Sequence, residues 1–297
     1  MYEVKNMNRK IGIIDIGSNT IVLVVYDVLA EAIQQIHYTS TAVHLVQYIQ
    51  NHHMSQDGIK AAAKVFNTYV EYCKTHNIEE IHADITECGR SIDNCHELIT
   101  AAHQSGIQNI QLLTGEEEAM CDFFGASLDS TLEDGLLIDI GGGSTELVRF
   151  TNSHKVLDAC SIPLGCVRLQ QMAHPDTAAK DAIQKAMEQH PSLTPCTQAI
   201  GVGGTIRACR MACDLLHHSD HTFTSEDLYD LYESLLNNRQ EYWEAVHKTV
   251  TVDRIPVLLP GLSMFAEVSK AFGITHFHNS EYGVREGFLL HFVLKRV

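Results

Sequence analysis

The stretch that decides the fold reads Leu136-Leu-Ile-Asp-Ile-Gly-Gly-Gly-Ser-Thr-Glu-Leu-Val148, and a version of it occurs earlier as Ile11-Gly-Ile-Ile-Asp-Ile-Gly-Ser-Asn-Thr-Ile-Val-Leu-Val-Val25. Each copy contains an aliphatic strand, an Asp-Ile-Gly, a short turn of Gly, Ser, Thr or Asn, and a second strand. This pattern is typical of a β-hairpin with a polar tip. Because the hairpin occurs twice in the same context, the sequence predicts two similar lobes.

The tips of both hairpins favour phosphate binding, because glycines let backbone N–H groups converge on an anion and neighbouring hydroxyls add donors. For a single copy, a tight hairpin that binds nothing is a better explanation than a phosphate site. The matching positions of Asp15 and Asp139 weaken that explanation for the two copies together. The candidate substrate-binding residues are Gly17, Ser18, Asn19 and Thr20 in the first tip and Gly141, Gly142, Gly143, Ser144 and Thr145 in the second.

Length and charge limit the kinds of partner. A chain of 297 residues is long enough for two ordinary domains. Its 37 acidic and 21 basic residues give a net charge of -16, which argues against nucleic acid and anionic membranes as general partners. A phosphate site in such a chain must be local, built from backbone donors, a few arginines and a divalent cation.

The first apolar run indicates a cytoplasmic protein. It extends from Ile11 to Ala30 but is interrupted by Asp15 and by the polar tip, so it resembles neither a signal peptide nor a membrane span. The nine cysteines include no Cys-x-x-Cys, which favours reduced, mostly buried thiols.

Strands alternate with amphipathic helices in the first half, which predicts a parallel sheet covered by helices. Helices dominate after residue 162, including one predicted over 225–247 and a last one over 285–295. The predicted domains are residues 1–127 and 128–297. The last helix is a candidate for packing back on the first lobe.

A third glycine loop follows a predicted strand in Ala199-Ile-Gly-Val-Gly-Gly-Thr-Ile-Arg-Ala208. It is neither a dinucleotide fingerprint, since no final glycine follows, nor a P-loop. Gly203, Gly204 and Thr205 instead open a helix whose free N–H groups favour an anion, although for this motif alone a plain turn is the better explanation.

Charged side chains near predicted turns complete the candidate site. A helix begins with three glutamates, Glu116, Glu117 and Glu118, and the helix dipole is sufficient to favour carboxylates there. The same positive surroundings would keep one of them ionised, as a water-activating base requires. Arg90 follows a strand and is a candidate phosphate clamp. Four further arginines occupy comparable positions, and we expect about half of them to face the site: Arg168, Arg207, Arg254 and Arg285.

The histidine-rich segments match no known metal-ligand spacing. They comprise His217, His218 and His221 with Asp220, and His276 with His278. We predict structural or solvated roles for them.

Together these motifs resemble the exopolyphosphatase and guanosine pentaphosphate phosphohydrolase (Ppx/GppA) family of the actin, sugar kinase and Hsp70 superfamily. Pro163-Leu-Gly-Cys-Val-Arg-Leu169 and Tyr282-Gly-Val-Arg-Glu-Gly287 extend the resemblance, which begins near residue 10 and continues to the C-terminus. It implies an α/β fold of two ribonuclease-H-like domains, with the active site in the cleft between them.

The resemblance also implies roles for single residues. Glu118 matches the catalytic glutamate, Asp139 and Glu146 match acidic residues for Mg²⁺ and water positioning, and Arg90 and the three glycine loops match phosphate contacts. Asp15 holds the same place in the first copy as Asp139 and is included as a candidate metal ligand. Met120 and Pro256 depart from the family pattern, which leaves chain-length preference and substrate contacts open.

The resulting expectation is a Mg²⁺-dependent enzyme that hydrolyses the terminal phosphate of linear, short-chain polyphosphate. The resemblance implies a homodimeric short form without the C-terminal helical HD-like domain of longer members. The alternatives are pppGpp 5′-phosphohydrolase or nucleoside polyphosphate phosphatase activity, a small-molecule kinase, and a non-catalytic alarmone or nucleotide sensor.

Overall fold

The computed structural model describes residues 9–29, 32–152, 155–217 and 223–297. The predicted positions His218, Asp220 and His221 therefore lie outside the described residues, as does Ala30 at the end of the first apolar run. The chain divides into two compact units, Met1–Thr114 and Gly115–Val297.

The strands are β1 Arg9–Ile16, β2 Thr20–Val28, β3 Ile33–Ala42, β4 Ile49–Gln50, β5 His53–Met54, β6 Glu80–Ile85, β7 Asn109–Leu112, β8 Gly135–Ile140, β9 Thr145–Thr151, β10 Lys155–Ile162, β11 Gln198–Val202, β12 Phe223–Thr224 and β13 His276–Asn279. The α-helices are α1 Gln56–Thr75, α2 Glu87–Arg90, α3 Cys95–Ser105, α4 Gly115–Ala126, α5 Cys166–Gln170, α6 Pro175–Gln189, α7 Gly203–His217, α8 Ser225–Leu236, α9 Gln240–Thr249, α10 Ile255–Phe272 and α11 Val284–Phe288. A 3₁₀ turn spans Leu45–Tyr48 and a π-helical turn spans Leu289–Val293.

The first unit contains a five-stranded sheet in the order β3-β2-β1-β6-β7. The β1–β2 hairpin is antiparallel, whereas β1, β6 and β7 are parallel, as the alternation of strands and helices predicted. Side chains of α1 and α3 pack with one face of this sheet in a buried core.

The second unit contains a six-stranded sheet in the order β10-β9-β8-β11-β13-β12. Here too a hairpin, β8–β9, is antiparallel and its first strand pairs in parallel with the next strand along the sheet, β11. The core on one face includes side chains of α6, α7, α8 and α10, and α4 covers the other face.

The two hairpins are alike in register as well as in sequence. The last strand pairs before the tips are Ile16 with Ile21 and Ile140 with Thr145, so each tip has four residues. The first residue of each tip donates its amide to the carbonyl of the fourth, at 3.1 Å from Gly17 and 3.0 Å from Gly141. The predicted internal repeat is therefore present in the backbone.

The unit boundary lies earlier than the predicted end of the first domain at residue 127. Helix α4 belongs to the second unit, because Ala119 and Phe123 pack with Val148 and Phe150 of the second sheet. The C-terminal segment also packs on α4, where a Cβ on Gly287 would lie only 1.8 Å from the carbonyl oxygen of Cys121.

One predicted helix is divided in the structure. The helix expected over 225–247 is two helices, α8 and α9, separated at Asn238, whose φ of 54° is left-handed and ends the first helix. Helix α10 is long and apolar enough to cross a membrane by length and composition, but 56% of its apolar window is buried inside the protein, as in a core helix.

Candidate active site

The tip of the second hairpin is held by the segment that begins α5. The amides of Cys166 and Val167 donate to the carbonyls of Gly141 and Gly142, both at 2.9 Å. A Cβ on Gly165 would lie 2.4 Å from the Gly141 oxygen, so only glycine permits this approach. The predicted phosphate loop is consequently a braced, preorganised turn.

The third glycine loop lies beside the same hairpin. Thr205 donates its hydroxyl to the carbonyl of Ile140 at 2.8 Å, which pins the start of α7 to the end of β8. Gly203 has a φ of 78°, and a Cβ there would lie 2.1 Å from Oδ1 of Asp139. The structure thus brings the N-terminus of α7, with its free N–H groups and positive dipole end, against the Asp139 carboxylate.

Arg254 lies at this helix start. It precedes α10, and its guanidinium occupies the space next to Gly204, where a Cβ would come within 2.0 Å of Nη1. Of the four arginines that the sequence analysis left open, this one is placed beside a predicted phosphate loop. A guanidinium next to free helix N–H groups forms a combination that suits phosphate oxygens.

Three predicted carboxylates form one electrostatic cluster. Glu146 is fully buried, and its Oε1 accepts a hydrogen bond from Ser161 at 2.6 Å. Burial raises the pKa of Glu146 well above its ordinary value, and the nearby charges of Glu118 and Asp139 raise it further. Hydrogen bonds from Ser161 and Ser144 oppose these effects.

Helix α4 selects Glu118 among the three consecutive glutamates. Its first residue, Gly115, packs so closely on β10 that a Cβ would lie 2.5 Å from that of Ser161. Glu116 is exposed and Glu117 half-buried, whereas Glu118 is only 8% exposed. The helix dipole stabilises all three carboxylates alike. It therefore does not explain why Glu118 is buried next to other carboxylates.

The carboxylates fit a magnesium ion held by few protein ligands. Within the described ranges no three His, Cys, Asp or Glu side chains are grouped as ligands of a metal ion. Magnesium commonly uses one or two carboxylates and completes its shell with water and substrate phosphates. Asp139 and Glu146 can supply these two, and a cation would relieve the repulsion that raises the pKa of Glu146.

The first hairpin tip is tied to its own surroundings in the first unit. Ser18 donates its hydroxyl to Oε2 of Glu87 at 2.9 Å, and Oδ1 of Asn19 lies 2.6 Å from Nδ1 of His44. The carbonyl of Asn19 accepts two backbone amides from the following segment. The Ser18 hydroxyl, which we expected to donate to phosphate, therefore donates to a protein carboxylate, and the Asn19 side chain contacts His44.

Asp15 and Arg90 also lie in the first unit. Asp15 is buried and pairs in register with Asp84 of β6. Arg90 is half-buried in α2 and donates from Nη1 to the carbonyl of Leu113 at 3.1 Å. The metal role of Asp15 and the phosphate role of Arg90 stay predictions.

Comparisons with known proteins agree with these observations. The model of the Ppx/GppA phosphatase family matches residues 24–296. The chain belongs to this family. A Haemophilus influenzae protein named "Putative exopolyphosphatase" is 25% identical over 293 residues, covering 94% of this chain and 90% of that protein.

Solved Ppx/GppA structures show the same fold. An exopolyphosphatase from Cytophaga hutchinsonii has 20% identity and a TM-score of 0.82, covering 97% of this chain and 98% of its own. The Aquifex aeolicus family member has 21% identity and a TM-score of 0.78, covering 97% and 99%. The predicted α/β fold of two similar sheet-containing domains is confirmed.

Two residues of this Ppx/GppA chain have neighbours that the sequence motifs do not indicate. Arg254 was one of four equivalent candidates, because the packing of α10 against α7 brings it to the loop from fifty residues away. Glu87 was not singled out, although it follows β6 at the same sheet end as the first tip and is only 4% exposed. Its place directly after a strand was the available signal.

Proposed function

We propose that the chain is a Mg²⁺-dependent exopolyphosphatase that removes the terminal phosphate of linear, short-chain polyphosphate. The observation that carries the proposal is the cluster of Glu118, Asp139 and Glu146 beside the N-terminus of α7. Membership of the Ppx/GppA phosphatase family supports a phosphoanhydride as substrate. Phosphoryl transfer needs hydrogen-bond donors for the phosphate oxygens, a cation site and a base, and the second unit contains candidates for each.

In the proposed reaction, the oxygen of a water molecule attacks the terminal phosphorus. The bond from this phosphorus to the bridging oxygen breaks, and that oxygen leaves with the shortened chain. Glu118 orients the water and accepts its proton, which a buried carboxylate can do when the attacking oxygen is within hydrogen-bond reach. Orthophosphate and a polyphosphate shorter by one unit are the products.

Charge stabilisation would come from groups already in place. The N–H groups of Gly203 and Gly204 and the guanidinium of Arg254 would bind phosphate oxygens. Asp139 and Glu146 would hold Mg²⁺, which, when bound, neutralises charge on the phosphate oxygens as they transfer. Hydrogen bonds from Ser144 and Ser161 would keep the Glu146 carboxylate oriented for this role.

The preference for short chains follows from net charge. A protein of charge -16 repels distant phosphates of a long polymer unless positive surface continues beyond the site. The sequence contains no run of lysines, and only 21 basic residues in all. Short polyphosphates place most of their charge within reach of the local donors.

The test is phosphate release from a substrate panel with and without Mg²⁺. The panel contains tripolyphosphate, tetrapolyphosphate, long-chain polyphosphate, pppGpp, ATP and ADP. We expect Mg²⁺-dependent release without any added phosphate acceptor, with the highest kcat/KM per chain end on tri- or tetrapolyphosphate. A clear preference for pppGpp would show that the substrate is a nucleotide rather than polyphosphate. Phosphate transfer that requires an added acceptor would indicate a kinase. Binding without turnover would indicate a sensor.

A further inference from the structure

Strand β3 forms one edge of the first sheet, and it lacks the charged residues and prolines that often protect an edge. Among the described residues, no strand pairs with it on the side away from β2. Its ten residues, Ile33-Gln-Gln-Ile-His-Tyr-Thr-Ser-Thr-Ala42, include no Asp, Glu, Lys, Arg or Pro. Natural edges are commonly blunted by charged residues or proline. In a chain with 20% charged residues, a charge-free edge of this length is a distinct surface.

The edge is also accessible, and it is regular from His37 to Ala42. The side chain of Tyr38 is 50% exposed and that of Ile36 is 45% exposed. A bulge at Ile36 interrupts the pairing with β2, but from His37 to Ala42 the register is continuous, pairing with Val25 to Thr20. Six consecutive residues therefore present an extended backbone to solvent.

Helix α1 holds this part of β3 in place from one face. The His37 ring stacks on Tyr72 with centroids 4.0 Å apart, and the Thr41 hydroxyl lies 2.8 Å from the hydroxyl of Tyr69. Tyr69 in turn donates to the backbone of β2, at the carbonyl of Ile21. Because the strand is already ordered, pairing with another strand would cost little conformational entropy.

We propose that β3 pairs in antiparallel orientation with β3 of a second copy of this chain, joining two first-unit sheets into one of ten strands. Two copies of charge -16 repel each other, so contact is favoured where neither surface carries charge. Antiparallel self-pairing across a two-fold axis meets this requirement, because it places the charge-free strand against itself.

The register of self-pairing is restricted by the side chains. Directly opposite residues of two paired strands point to the same face of the sheet. The two-fold axis must therefore pass midway between one residue and its own copy. An axis at Thr39 places Thr39 opposite itself, Tyr38 opposite Ser40, and His37 opposite Thr41. These pairs contain no like charges, and Thr–Thr pairs stabilise neighbouring strands.

One strand pair gives a weak dimer. A stable interface commonly buries more than about 1,000 Å², and a single six-residue pairing offers less. We therefore expect association in the range of about 10 to 100 µM rather than a permanent dimer. Added salt should strengthen it, because screening reduces the repulsion between the two acidic copies.

Sedimentation velocity of the full chain over about 5 to 300 µM tests the proposal. The wild type should shift from monomer to dimer, and Tyr38→Lys and Tyr38→Glu should each stay monomeric because like charges meet near the axis. An equimolar mixture of the two variants should regain a dimer through opposite charges. Leu128→Lys and Leu128→Glu are the matched controls, since Leu128 is 43% exposed and lies in the second unit.

A folded wild type that stays monomeric at every concentration would overturn the proposal, and so would a dimer that both Tyr38 variants leave intact. Two monomeric variants that do not associate when mixed would also overturn it. The thermal midpoint of each variant shows that it is folded. Because the readout is association, its failure is distinct from a failure of the proposed hydrolase activity.

Discussion

Gly203→Ala tests whether the placement of Asp139 matters, and Gly273→Ala is its matched control. Both glycines have left-handed φ angles, 78° and 72°. An L-residue in this conformation costs about 1–2 kcal/mol, so both variants should lose that much free energy of unfolding. A Cβ at Gly273 meets nothing within 4 Å, whereas at Gly203 it lies 2.1 Å from Oδ1 of Asp139.

The two variants should therefore differ in activity. Ordinary contact begins at 3.4 Å, so the alanine at position 203 must displace the Asp139 carboxylate or its own loop by about 1.3 Å. A displacement of about 1 Å in a catalytic site costs on the order of 10²-fold in rate. We expect this loss in kcat/KM for tripolyphosphate in Gly203→Ala, and a change below about twofold in Gly273→Ala. Equal activity of the two folded variants would refute the role given to Asp139.

Further predictions concern the base, the cation and the substrate. Glu118→Gln should lower kcat by about 10²-fold or more while sparing KM, whereas Glu116→Gln, at an exposed position of the same helix turn, should not; equal effects in phosphate-release assays would remove Glu118 from the mechanism. Asp139→Asn should raise the Mg²⁺ concentration needed for half-maximal activity, because an oxygen ligand loses its charge; full wild-type activity in excess chelator would contradict this. Long polyphosphate should be degraded distributively, with intermediates of every length on a gel, and should improve modestly relative to short chains as salt rises; its disappearance without intermediates would contradict this.

The central elements of the fold could be predicted because they are encoded locally. The pattern of Asp-Ile-Gly and polar tip determines strand, turn and strand within about fifteen residues, and both hairpins form with the same register. Strand β3 was not predicted. Its polar, glutamine-rich sequence has no apolar alternation, and its extended shape depends on pairing with β2.

The domain boundary could not be derived from the sequence, because it depends on tertiary packing. Helix α4 follows the last strand of the first unit directly, and nothing in its own sequence indicates which sheet it covers. The contacts of Phe123 with Phe150 and of Gly115 with Ser161 assign it to the second unit. This assignment is what brings Glu118 close to Glu146 and Asp139.

Side-chain partners in the site were predicted only in part. The carboxylates of Glu118, Asp139 and Glu146 were expected together, and the structure places them in one cluster. The engagement of Ser18 by Glu87 was not foreseen, since it joins residues 69 apart in sequence. Long-range partners of this kind follow from the order of strands in the sheet, which local motifs do not specify.

The most direct test of the proposed reaction is hydrolysis of tetrapolyphosphate in ¹⁸O-enriched water with Mg²⁺ present, followed by mass spectrometry of both products. If water attacks the terminal phosphorus, each orthophosphate released in a single turnover carries one ¹⁸O from solvent and the tripolyphosphate product carries none. Label in the shortened chain would place the attack on an internal phosphorus. The absence of released orthophosphate unless an acceptor is added would contradict hydrolysis altogether.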